Sequence, residues 1–206
     1  MNIFSFIKSG GLVSYILLFI SVLSVSIIIN RIIFFVCLSR FNLDNFLARI
    51  KNAFISKNID SLYDYVFENK NIFCNIVLIF LKNSSLNSED LEKKIIFEID
   101  KGDLILEKYL LALGTIANIS VYFGLLGTII GIMEAFSNIE TSGMSGINVV
   151  IGGVSKALTT TIFGLVVAIP AIIVYNFCLS KSEKYHKEMI NFANTLIFYR
   201  ENYDKK

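Results

Sequence analysis

Residues 115–136 read TIANISVYFGLLGTIIGIMEAF, and residues 153–176 read GVSKALTTTIFGLVVAIPAIIVYN. Apart from Glu134 and Lys156 neither stretch carries a charge. About 20 apolar residues in a helix cross the roughly 30 Å of bilayer hydrocarbon. Working outward, the charge-free windows extend over 109–133 and 157–180, and a third runs over 9–30 and continues past Arg31 as 32–38. Each is long enough to span. A secretory signal peptide is the competing reading of the first window, but an h-region has only roughly 7–15 residues, and no small-residue cleavage site precedes Arg31.

The rest of the composition agrees. Of 206 residues 54% are hydrophobic and 17% charged, with one Pro and no Trp, too apolar for an ordinary soluble domain. The net charge of +2 comes from basic residues scattered along the chain, so a basic nucleic-acid-binding surface is not expected. One histidine, His186, and three widely spaced cysteines, Cys37, Cys74 and Cys178, offer neither a zinc site nor a disulfide framework within the chain. No metal or other cofactor is expected, and no nucleophile motif or acidic pair within a span suggests an enzyme.

Orientation follows from Lys and Arg, which collect on the cytoplasmic side of a membrane. Residues 39–108 hold ten and residues after Leu179 hold six, whereas only Lys8 precedes the first span and the connection 137–146 has none. The predicted protein is an all-α integral membrane protein with three transmembrane helices, its N-terminus periplasmic and its C-terminus cytoplasmic. The expected divisions are a short periplasmic N-terminus over 1–11, helix 1 over 12–38 and a cytoplasmic helical region over 39–108. Helix 2 follows over 109–136, a periplasmic loop over 137–147, helix 3 over 148–178, and a cytoplasmic helix and tail over 179–206. Helices 2 and 3 extend into the cytoplasmic region. From Ser88, read as an N-cap, Leu91, Ile95, Ile99, Leu106 and Leu110 mark one helical face. With Gly102 the only weak point, one unbroken helix is predicted from about residue 88 to about residue 136. Tyr185, Met189, Phe192, Leu196 and Tyr199 continue helix 3 at a 3–4 spacing. The loop with Thr141, Ser142 and Gly143 reads as a flexible turn.

Spans two and three carry small residues at helical spacing. Ala117, Ser120, Gly124, Gly127 with Thr128, Gly131 and Ala135 form one row, and Ala157, Thr161, Gly164, Ala168 and Ala171 another. Such rows let backbones approach closely in lipid, so tight helix packing is one reading. Thr128 and Thr161 inside the rows, with Thr160 adjoining, suggest the other, a hydratable seam. Hydroxyls and water can pass a proton or hold a cation transiently, but they supply no acid. Glu134 reads as an interfacial carboxylate at the outer end of span two. Lys156, roughly nine residues inside span three, costs about 2.5–3.5 kcal/mol at the bilayer centre unless it snorkels or is paired. At 100° per residue it lies roughly 140° from Thr161 and nearer to Thr160. Pro170 removes one backbone bond inside span three.

The two quoted blocks resemble the MotA/TolQ/ExbB proton channel family. The first is similar to that family's second span with its G-L-L-G-T-x-x-G core, the second to its third span with A-L-x-T-T-x-x-G-L-x-x-A-I-P-A. Segment order agrees along essentially the whole chain. The resemblance implies a homopentamer whose pore, lined by spans two and three, encloses the single-span helices of a TolR- or ExbD-like partner dimer. By motif position, the pore threonines beside which a partner aspartate takes up protons correspond to Thr128 and Thr161. Ser120, Gly124, Gly127, Gly131, Ala157, Thr160, Gly164 and Ala168 would line the pore or pack the helices. The work would reach the outer envelope of a bacterium through a TonB- or TolA-like protein, with membrane lipid around the ring. Two positions depart from the pattern. Val121 stands where the family often has a proline, and Lys156 where many members carry a pore glutamate. A non-conducting scaffold that assembles a helical ring around a partner is the alternative function.

Overall fold

The computed structural model describes residues 11–56, 59–69, 71–142 and 147–203, without the side chains of 140–150 and 203. Every element among them is a helix. In chain order these are α1 (Gly11–Ser39), α2 (Leu43–Ser56), α3 (Ile59–Glu68), α4 (Ile72–Lys82), α5 (Ser88–Leu106), α6 (Leu110–Ser142) and α7 (Ile147–Tyr203). Three stretches, Gly11–Ser39, Ser88–Ile139 and Ile151–Asn202, hold windows long and apolar enough to cross a membrane. The expected N-terminal segment 1–11 lies almost wholly outside the described residues.

The described residues fall into two compact units, one built from those up to 32 and from 109–177, the other from 33–108 and from 178 onward. Backbone donors and acceptors have no water partner inside a bilayer, so helices, which satisfy them internally, are the form a span in the first unit can take. Its core contains Leu113, Ala117 and Ala171, with Ile27 and Ile28 of α1 packed against them. On α1, Val13, Ser14, Leu17, Ser24 and Arg31 are buried at roughly heptad-like intervals, a side the charge-free window does not single out.

The second unit is held by aromatic rings. Phe192 of α7 stacks on Phe46 of α2 at 5.7 Å and meets Phe73 of α4 edge-on at 5.5 Å, while Phe41 stacks on Phe73 at 6.1 Å. Such pairs contribute about 0.5–1.5 kcal/mol each beyond the apolar area they bury. The α5 face predicted from spacing is buried at Leu91, Ile95, Ile99 and Leu106, as are Met189, Phe192 and Leu196 on α7. His186, also on α7, places Nδ1 2.7 Å from Asp103 Oδ2 of α5.

Three local expectations are corrected. The helix start predicted at Ser88 is capped instead by Asn87, whose side chain accepts from the Asp90 N–H at 2.8 Å; an Asn oxygen reaches an orphan amide of the first turn well. The unbroken helix from 88 to 136 is two helices. α5 closes with the Glu107 N–H donating to the Asp103 carbonyl at 2.8 Å, Tyr109 takes φ 65°, and α6 restarts with the Leu113 N–H on the Tyr109 carbonyl. Gly102, the predicted weak point, is helical; a Cβ there would sit 2.9 Å from the Met189 sulfur, so its smallness serves packing between α5 and α7. Finally, α6 runs past residue 136 to Ser142, because no Gly or Pro interrupts the chain before Gly143. Residues 143–146 of the expected loop lie outside the described residues.

Candidate functional site

The small residues of α6 exist where they do because α7 lies against them. Ala135 meets Gly153, Gly131 meets Ala157, Gly127 meets Thr160, and Gly124 meets Thr161 and Gly164. As one number rises the other falls, so the helices are antiparallel. A Cβ on Gly164 would come within 2.5 Å of the Ser120 carbonyl oxygen, and one on Gly131 within 2.7 Å of the Ala157 Cβ. Neither contact is tolerable with backbone or a stub side chain on the other side, so the approach itself requires glycine. Both rows predicted from spacing are brought together; Ala117 and Ala168 also line one small apolar cavity.

Hydroxyls are threaded through this contact. Thr161 Oγ1 donates across the seam to the Gly124 carbonyl at 2.9 Å. Thr160, 2% exposed, donates within its own helix to the Ala157 carbonyl at 2.7 Å and lies 3.5 Å from the Gly124 carbonyl. Thr128 donates to the Leu125 carbonyl at 2.6 Å and Ser120 to the Ile116 carbonyl at 2.7 Å, both within α6 rather than across the seam. A hydroxyl has one proton to give and two lone pairs. With their protons engaged on backbone carbonyls, these groups offer acceptors. Such a seam can receive a hydronium, a protonated carboxyl or a small cation, and it cannot itself provide the titrating acid.

Glu134 and Lys156, read separately from sequence, form an ion pair, with Lys156 Nζ 3.1 Å from Glu134 Oε2. The antiparallel register explains it, since Glu134 follows Gly131 by three residues and Lys156 precedes Ala157 by one. Glu134 is therefore not at the end of its helix; α6 continues to Ser142. The sequence marks both small-residue rows, but the register between them that brings the two charges together is set by the packing of α6 on α7. Arg31, only 2% exposed, is the other charge that spacing did not single out. Pro170 sits inside α7, whose helix continues through it. Among the described residues no group of three or more His, Cys, Asp or Glu side chains is placed to hold a metal ion.

Residues 49–191, which include both helix rows, match the family model described as the MotA/TolQ/ExbB proton channel family. The chain is 43% identical over 86 residues to a biopolymer transport protein ExbB of Helicobacter pylori, a match covering 42% of this chain and 59% of that protein. It is 32% identical over 131 residues to an ExbB of Aquifex aeolicus, covering 61% of this chain and 85% of the relative. With the Tol-Pal system protein TolQ of Haemophilus influenzae it shares 35% identity over 95 residues, covering 45% and 42%. The chain thus spans little more than half the length of the first of these relatives and less than half of the last.

Proposed function

The chain belongs to the MotA/TolQ/ExbB proton channel family and is a multi-pass membrane protein, and from that premise we propose that it is the ion-driven stator subunit of a TolQ–TolR or ExbB–ExbD type motor. Its place is the bacterial inner membrane, with the N-terminus periplasmic and the C-terminus cytoplasmic. Five copies form a ring around the single-span helices of a partner dimer resembling TolR or ExbD. Protons moving down the membrane potential, worth about 2.3 kcal/mol per charge per 100 mV, drive conformational work. A TonB- or TolA-like protein delivers it, for uptake across the outer membrane or for Tol-Pal envelope maintenance; relatives bearing both kinds of name match this chain.

The observation that carries this reading is the Thr161 hydroxyl on the Gly124 carbonyl, with Thr128 one turn away on α6. It supplies acceptors without an acid, which suits a pathway whose titrating carboxylate arrives on a partner helix. The scaffold reading draws support from the same bonds, since every threonine proton named above already rests on a backbone carbonyl. Native mass spectrometry of the protein co-expressed with its single-span partner separates the first requirement of each. A five-to-two complex is the expected result; a ring that never retains a partner favours the scaffold.

A further inference from the structure

We infer that the Glu134–Lys156 pair faces water rather than lipid, and that Glu134 is an ion-receiving carboxylate supplied by this chain itself at the mouth of the seam. The inference rests on the proposed conduction. α6 runs eight residues beyond Glu134, and α7 begins nine residues before Lys156; at 1.5 Å per residue both charges lie about 12–14 Å inside the ends of their helices. Within the single chain the side chains keep 56% and 38% of their surface open. Charges within membrane-spanning helices are costly against hydrocarbon, and they turn to a water-filled cavity or to one another. This pair does the second at 3.1 Å. Its remaining open surface calls for the first.

The surroundings agree. A cavity of about 130 Å³ is lined by both charges together with Gly127, Gly131, Thr160 and the start of α1 at Gly11–Val13. It connects the carboxylate to the buried hydroxyl of Thr160, and hence to the seam. Pairing with Lys156 neutralises the site overall and keeps Glu134 available. A cation or proton that reaches the carboxylate displaces Lys156 from it, and Lys156 recovers it when the ion moves on to the threonines. Removing the carboxylate alone leaves a bare ammonium beside the entrance, which repels cations.

The test uses the full complex with its partner in liposomes and two readouts. In a background where Cys37, Cys74 and Cys178 are serine, a Glu134→Cys variant is exposed to a positively charged methanethiosulfonate reagent. It is expected to react with it, as a thiol in water does. Proton flux under an imposed potential is then measured for Glu134→Gln, expected to fall at least about tenfold as for loss of a proton-transfer group. The exchanged pair Glu134→Lys with Lys156→Glu is expected to recover most of that loss. Labelling only by a lipid-soluble thiol reagent overturns the inference, and so does undiminished flux through Glu134→Gln. If the unaltered complex carries no protons while the charged reagent still reaches residue 134, conduction is what fails, and the ion-receiving role falls with it while the aqueous placement stands.

Discussion

Individual hydroxyls and thiols make the sharpest predictions. Thr161→Val removes one interhelical hydrogen bond to Gly124. Such bonds in membranes are worth about 0.6 kcal/mol on average and at most about 1.7 kcal/mol, so in detergent the variant should melt only slightly lower and assemble normally. Thr161→Ser keeps the donor and should retain function. Cys74 is buried, and burial pushes its thiol from the ordinary 9.0 up to about 11. At pH 8 it should be alkylated at least about tenfold more slowly in the folded protein than after unfolding, since only the thiolate reacts. The sign for stability follows. Between pH 9.0 and about 11 the folded chain holds a proton that the unfolded chain has released. This contribution is therefore intact below pH 9.0 and is lost as pH rises toward 11. Denaturant midpoints across that range, compared with Cys74→Ala, measure it. At this scale the sequence showed Thr128, Thr161, Glu134 and Lys156 as residues standing out from apolar windows. It did not show that the two charges meet, because pairing depends on the register between α6 and α7.

Elements were legible where a period or a charge-free window marks them. The rows of Gly and Ala on α6 and α7, the α5 face through Leu91, Ile95 and Ile99, and the α7 face through Met189 and Phe192 all follow from 3–4 spacing, and each is buried. The break between α5 and α6 has no such mark. Neither Gly nor Pro stands at residues 107–109, and a tyrosine takes the left-handed conformation with φ 65°. For an L-residue with a side chain that conformation costs roughly 1–2 kcal/mol. Tyr109→Gly should accordingly leave stability within about 1 kcal/mol, whereas the β-branched Tyr109→Val should destabilise by about 1–2 kcal/mol. Thermal unfolding in detergent distinguishes the two. Between the spans, Gly164→Leu should force α6 and α7 apart, because even a Cβ would come within 2.5 Å of the Ser120 carbonyl. Loss of the assembled complex on size-exclusion chromatography is the expected outcome; an intact complex would mean that the close approach is not needed for assembly.

At the scale of the whole molecule, the three apolar stretches and the family match over residues 49–191 make this a membrane protein of the proton channel family. The proposed ring, its proposed partner and the proposed ion flow are all properties of several chains together. The seam has acceptors in Thr160, Thr161 and Thr128 and no acid among them, so the energy transduction proposed for it is a property of the complex. The most direct measurement is proton flux through the reconstituted complex under an imposed membrane potential, comparing the unaltered protein with Thr128→Val and Thr161→Val and verifying that each complex is assembled. Flux is expected in the unaltered complex, with its loss, by about tenfold or more, in each valine variant. Equal flux in all three, or none in the unaltered complex, would contradict the proposed conduction.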